Sequence, residues 1–137
     1  MSTELETSYG GVVLRGDDLL VITPTGRRVT GLPKGGLEAG ETPEQAAARE
    51  VREEAGVEAE LVAELGAVRY WYMRAGRRIA KQVDFFLFRY RCGDVDDHDH
   101  EVEHARWMPL AEAARALTYE GERRMAALAL SQIAADG

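Results

Sequence analysis

The sequence predicts a mixed β-sheet covered by helices on both faces, which periodicity alone leaves open between the α/β and α+β classes. Three observations carry this. β-prone runs lie on both sides of one well-specified helix near residues 43–55, two of the later runs flank a single tight turn, and the chain turns helical again only after Met108. Strands interleaved with an early helix and followed by late helices suggest a three-layer α/β/α sandwich.

Tyr9 to Leu14 and Leu19 to Thr23 are apolar runs around the turn Arg15-Gly16-Asp17-Asp18, which reads as a hairpin. The loop Pro24-Thr25-Gly26-Arg27-Arg28 then leads into Val29 to Lys34. Thr42-Pro43-Glu44-Gln45 offers a Thr N-cap, a Pro at the first helical position and a Gln placed to complete a capping box, and Gly56 can take the positive φ that ends a helix. The helix should therefore run from about 43 to 55, with Ala47, Ala48, Val51 and Ala55 as its buried stripe and its acids facing away.

Glu58 to Tyr72 and Ile79 to Arg91 are rich in β-branched and aromatic residues and flank Arg74-Ala75-Gly76-Arg77, so they predict a long hairpin. Asp94 to His104 is an acidic loop, and Ala105 to Met108 reads as a short closing strand. Helices follow over Pro109 to Leu117 and Glu120 to Ala134, with Met125, Leu128, Ala129 and Ile133 marking the buried side of the last.

At 137 residues and 45% hydrophobic content the chain suits one domain, spanning 1–137. A net charge of −7 argues against a broad electrostatic grip on nucleic acid. MSTELETSYG holds no basic segment followed by an apolar run, and no stretch has the ~18 consecutive apolar residues of a membrane span, so a soluble, cytoplasmic protein is expected. Cys92 is the only cysteine; it excludes an intrachain disulfide and a thiol-based metal site, and reads as a small buried or half-buried filler.

Chemistry concentrates in GGLEAGETPEQAAAREVREEAGV, from Gly35 to Val57. On a helix, Glu50, Glu53 and Glu54 stand at i, i+3 and i+4, which crowds three carboxylates onto one face. Each like-charged pair costs an isolated helix roughly 0.2–0.5 kcal/mol, so the arrangement points to a divalent cation among hard oxygen ligands, Mg²⁺ or Mn²⁺. A surface helix ordinarily mixes charge signs instead.

Gly35, Glu41, Arg49-Glu50-Val51, Glu53-Glu54 and Gly56-Val57, at these spacings, resemble the signature of the Nudix hydrolases with no position departing from it. The resemblance selects the three-layer α/β/α sandwich, the Nudix fold, from the classes left open above. It implies Mg²⁺-dependent hydrolysis of a nucleoside diphosphate linked to another group X. It further implies that Glu53, Glu54 and the Lys34 carbonyl are metal ligands, that Glu50 is a ligand or the general base, that Arg49 orients Glu50, and that Glu41 braces the loop. A further acid is expected from the late loop; Glu101 is the first choice over Glu103, to complete the metal site or serve as base. His98 and His100, in the same loop, could form a transition-metal pair or be solvated.

Leu32-Pro33-Lys34-Gly35 looks like the lead-in of the dinucleoside polyphosphate members, with Leu32 replacing the usual aromatic. By that likeness the Lys34 ammonium reaches a substrate phosphate, and Gly35 and Gly36 let the backbone approach it closely. Tyr70, Trp71, Tyr72, Arg74, Arg77, Arg78 and Lys81 form a basic and aromatic cluster on the expected hairpin. Strand alternation puts Tyr70 and Tyr72 on one side and Trp71 on the other, so only part of it can face a pocket. Tyr72, Arg78 and Lys81 are the candidates there, and Tyr119 lies where related enzymes line the nucleotide pocket. The expected substrate is a small nucleotide, diadenosine tetraphosphate or hexaphosphate, bound by a monomer or homodimer with no nucleic-acid polymer and no membrane as partner. The alternatives are cleavage of (8-oxo-)dNTPs or NTPs, ADP-ribose hydrolysis, and a nucleotide sensor that has lost catalysis.

Overall fold

The computed structural model describes residues 4–136; Met1–Thr3 and Gly137, the ends of the expected 1–137 domain, lie outside them. Strand β1, Glu4–Arg15, turns tightly through Gly16 and Asp17 into β2, Asp18–Pro24. A two-residue strand β3, Lys34–Gly35, precedes helix α1, Pro43–Ala55. Then come β4, Val57–Arg74, and β5, Arg77–Gly93, which form the long hairpin. After a short 3₁₀ turn at Val95–Asp97 the chain makes β6, Val102–Pro109, and helices α2, Leu110–Ala116, and α3, Glu120–Asp136.

The strands lie in the order β4-β5-β1-β2-β6 with β3 added to β1, and only the β1–β5 pairing is parallel, so the sheet is mixed. Alternate residues of the central strands feed two cores. Val12, Leu14, Phe85 and Leu87 pack beneath α2 and α3 with Met125, Ala126 and Ala129. Val13, Phe86 and Phe88 pack beneath α1 with Ala47, Val51 and Ala55. Helices therefore cover both faces, which is the three-layer sandwich. Burying one phenylalanine such as Phe85 or Phe88 stabilises the fold by roughly 1.5–3 kcal/mol.

The expected caps of α1 are present: the Thr42 hydroxyl accepts from Gln45 N at 3.2 Å, the Gln45 side-chain Oε1 accepts from Thr42 N at 2.9 Å, and Gly56 ends the helix at φ 77°. A Cβ at Gly56 would lie 2.8 Å from the Asp97 carbonyl carbon, so the 3₁₀ turn packs there only because the residue is glycine.

β1 and β2 pair only at their hairpin end, through Leu14↔Leu19 and Arg15↔Asp18. Farther back they part. β1 takes β3 through Tyr9↔Gly35 and Gly10↔Lys34, while β2 meets Gly31 at Ile22. Gly10 and Gly11 make this fork possible, since a Cβ on the first would sit 2.7 Å from the Pro33 oxygen and on the second 2.6 Å from Val51 Cγ2. The fork feeds the chain from Lys34 directly onto α1.

Several local expectations change. β1 begins at Glu4 rather than Tyr9, because Glu4–Ser8 pair with Ile79–Val83 of β5 and need no apolar pattern of their own. Ala46 is fully buried in α1 and Ala48 only partly. On α3 the buried stripe is Met125, Ala126 and Ala129, while Leu128 is 39% exposed. Cys92 is exposed near the open end of β5 rather than buried.

Candidate active site

Arg49 organises the acidic helix. Its side chain is 11% exposed and donates in five directions: Nε and Nη2 to the two oxygens of Glu41 at 2.7 and 3.0 Å, Nη2 also to the Gly36 carbonyl at 2.7 Å, and Nη1 to Glu50 at 2.8 Å and Glu53 at 3.2 Å. The crowding read from the sequence as a demand for a cation is thus relieved in part by a guanidinium. Glu41 also accepts from Glu38 N at 2.8 Å, which ties the loop to the helix. These bonds hold Glu41 below the usual carboxylate range and Arg49 well above its ordinary value.

Gly35 has a specific reason to be glycine. A Cβ there would overlap the carboxylate of Glu50, which lies flat against the β3 backbone. Gly36 meets nothing at that position, so its freedom toward a ligand is steric openness alone.

Glu54 turns the other way, and Oε1 accepts from the Lys34 backbone amide at 2.8 Å. Burial, reinforced by the charges of Glu50 and Asp99 and opposed by the Lys34 amide, pushes its carboxyl up to about 8. Burial also pushes Glu50 upward against Arg49, and Glu53 and Glu101 act in the same direction. Half-buried acids pushed upward by burial and by neighbouring carboxylates form a site that a cation would relieve. Among the described residues no three acidic, imidazole or thiol side chains already converge as a finished cage, since Arg49 draws Glu50 and Glu53 together while the Lys34 amide holds Glu54. The donors are all oxygens, which suits a hard divalent ion.

The late loop sits beside this helix. Asp99 N donates to the Glu53 carbonyl at 2.9 Å, and Asp99 acts on Glu54 through its charge. Sequence reading passed over Asp99 as one acid in an acidic run. Glu101 is exposed, with its backbone carbonyl taken by Thr25 N at 3.0 Å. Glu103 accepts from Gly26 N at 3.1 Å and serves the loop. His98 places its Nδ1 2.9 Å from the Asp99 carbonyl, and His100 is exposed.

Next to β3 a cavity of about 810 Å³ opens between the β4–β5 hairpin and the start of α3. Tyr70, Tyr72, Lys81, Lys34 and Tyr119 all line it. Lys81 donates to Ser8 Oγ at 2.6 Å, and the Tyr72 hydroxyl donates to Glu6 at 2.6 Å while accepting from Arg74. Tyr119 accepts from Arg27 at 2.8 Å. Burial raises the Tyr70 phenol, so it stays a neutral donor.

Arg78 is not part of this group. Its guanidinium stacks on Trp71 at 3.9 Å, on the opposite face of the hairpin, and it does not line the cavity. The alternation that separates Trp71 from the two tyrosines separates Arg78 from Lys81 as well, because Arg78 and Lys81 differ by an odd number of residues.

Arg27, Glu6 and Glu122 also line the cavity, and the sequence reading had not singled them out. Glu122 is buried and accepts from Leu32 N and Lys34 Nζ, both at 3.1 Å. Its signal was present, as it stands in phase with Met125, Ala126 and Ala129 on the apolar stripe of α3, where an unpartnered acid has no place. Burial alone would depress the Lys34 ammonium, but the charge and hydrogen bond of Glu122 outweigh it and hold the group above its ordinary value.

A family model described as NUDIX domain matches residues 5–129. A Mycobacterium tuberculosis protein named MutT4 is 39% identical, an alignment covering all of this chain and 60% of that protein. A Mycolicibacterium smegmatis protein named 8-oxo-(d)GTP phosphatase is 37% identical over 69% of this chain and 28% of its own length. The chain thus spans less than two thirds of these curated relatives. Among solved structures, a Caenorhabditis elegans Ap4A hydrolase superposes with a TM-score of 0.70 at 22% identity, covering 94% of this chain and 98% of that one, a likeness of fold. No helix among the described residues is long and apolar enough to cross a membrane.

Proposed function

Because the chain belongs to the NUDIX family of hydrolases, which act on pyrophosphate bonds, we propose that it is a Mg²⁺-dependent pyrophosphohydrolase of dinucleoside polyphosphates such as diadenosine tetraphosphate or hexaphosphate. The observation that carries this reading is the position of Lys34, which belongs at once to the acidic helix, through its amide on Glu54, and to the cavity, through its ammonium. A phosphate chain would run past that lysine, with the scissile bond at the acids and a nucleoside among Tyr70, Tyr72 and Tyr119. Lys81 and Arg27 supply cationic donors along the cavity wall, where an uncharged substrate would have no use for them.

In this reading Glu53, Glu54 and the Lys34 carbonyl would hold the cation, and Glu50 would be a further ligand or the base that takes the proton of the attacking water. A bound Mg²⁺ supplies charge neutralisation at the phosphoryl oxygens and acidifies coordinated water. Arg49 keeps Glu50 and Glu53 in register with the loop through Glu41. Glu101 stands near enough to influence Glu50 and is the outside acid of the scheme. The protein acts on a small soluble nucleotide in the cytoplasm, as a monomer or homodimer.

The identity to a relative named as an 8-oxo-(d)GTP phosphatase favours cleavage of oxidised nucleoside triphosphates as the second reading. Anion-exchange analysis after incubation with Mg²⁺ and diadenosine polyphosphates, nucleoside triphosphates, 8-oxo-dGTP or ADP-ribose separates the two. Rapid release of ATP and a smaller nucleotide from the diadenosine compounds supports the first; preferred cleavage of the triphosphates replaces it with the second. Tight Mg²⁺-dependent binding with no turnover across the panel would indicate a sensor.

A further inference from the structure

Glu122 is the one charged side chain buried among the described residues, 4% exposed, and nothing in the chemistry above uses it. It lies in the first turn of α3, where the positive end of the helix dipole favours an anion. From that layer it reaches the loop that feeds α1. Oε1 accepts from Leu32 N and Oε2 from Lys34 Nζ, so one carboxylate grips the chain on both sides of Pro33. Pro33 is itself anchored, its carbonyl accepting from Gly11 N at 3.1 Å.

A lysine beside an open cavity normally samples many positions of its four-carbon stem. An exposed partner would restrain it little. Glu122 differs because both oxygens are engaged in the interior, which gives the anion a single orientation. The ammonium has three N–H donors and the salt bridge needs one, so two remain for a ligand, and the Lys34 side chain keeps 29% of its surface open. We propose that Glu122 is a positioning residue that holds the Lys34 ammonium at the cavity wall, aimed at the phosphate chain of the substrate. This rests on the pyrophosphohydrolase reading of the site. Glu122 touches no reacting atom and acts through Lys34.

Glu122→Gln isolates the role. The amide oxygen still accepts from Leu32 N, while the acceptor for Lys34 becomes an NH₂ that cannot receive its proton. On whichever panel compound the wild type cleaves fastest, Glu122→Gln should lower kcat about tenfold with KM within threefold and the melting temperature nearly unchanged. Lys34→Ala should be at least as slow, and the double variant no slower than Lys34→Ala alone. Multiplying losses, or a wild-type kcat for Glu122→Gln, would overturn the proposal. In metal-free protein the ¹⁵N signal of the Lys34 ammonium should be observable and should broaden or vanish in Glu122→Gln. If the wild type cleaves nothing in the panel, the hydrolase reading fails, and this signal decides the role of Glu122: its loss supports the tether, and its persistence overturns it.

Discussion

The carboxylate of Glu50 lies against the α-carbon of Gly35, in the volume that any side chain at that position would fill. The loop glycine and the helix acid therefore require each other. Gly35→Ala should displace Glu50 by about an ångström and lower kcat on the order of 100-fold, with a smaller effect on KM. Steady-state kinetics beside a circular-dichroism melt would check this; full activity in a folded variant would remove Glu50 from the chemistry.

Glu53→Gln should abolish most turnover at fixed Mg²⁺ while leaving the fold intact, because Glu53 is partly exposed and only one of its oxygens meets Arg49. Arg49→Lys should do comparable harm for another reason. A point charge cannot reproduce the paired bonds to Glu41 together with those to Glu50, Glu53 and the Gly36 carbonyl. A fall in both stability and rate is expected for Arg49→Lys, and in rate alone for Glu53→Gln. Unchanged turnover of Glu53→Gln would sink the metal assignment.

The raised carboxyl of Glu54 sets a pH dependence. Its value is about 8 in the folded, metal-free protein against a reference of 4.5, so between these limits the folded state binds the extra proton. Stability from this group is present in full below the lower value and declines as pH rises through the upper one. Metal-free protein should therefore melt at a lower temperature at pH 8.5 than at pH 6. Mg²⁺ should stabilise more strongly at the higher pH, and Glu54→Gln should flatten the dependence. Differential scanning fluorimetry with and without chelator measures all three, and a melting temperature that climbs across this window would contradict the burial argument.

Lys81 and Arg78 should separate cleanly. Lys81→Ala removes a cation from the cavity wall and should raise KM for a diadenosine polyphosphate several-fold. Arg78→Ala removes a stack on Trp71 on the far face and should leave KM unchanged. Equal effects would mean that the substrate wraps around the hairpin.

Thr42→Ala should cost roughly 1 kcal/mol of stability, the usual value of a lost N-cap, and should barely change KM. Denaturant unfolding reads this directly.

Much of this protein is determined by neighbours along the chain, and that part is legible in the residues. The caps of α1, the turn at Ala75-Gly76 with φ 50° and 76°, and the placement of Glu50, Glu53 and Glu54 on one face depend on backbone conformation and periods of a few residues. Alternation even separates Trp71 from Tyr70 and Tyr72. What only the tertiary structure decided comes from residues far apart in sequence. Arg49 is i−1 to Glu50, yet its chief bonds go to Glu41 and Gly36 in a loop that folds back. Arg27 meets Tyr119 across 92 positions and Lys34 meets Glu122 across 88, pairings that no local pattern encodes. Burial decided the rest. The packing leaves Glu54 half-buried and Glu122 almost wholly buried, and that difference turns acids that look alike in the sequence into one whose carboxyl is pushed up to about 8 and one locked to a lysine.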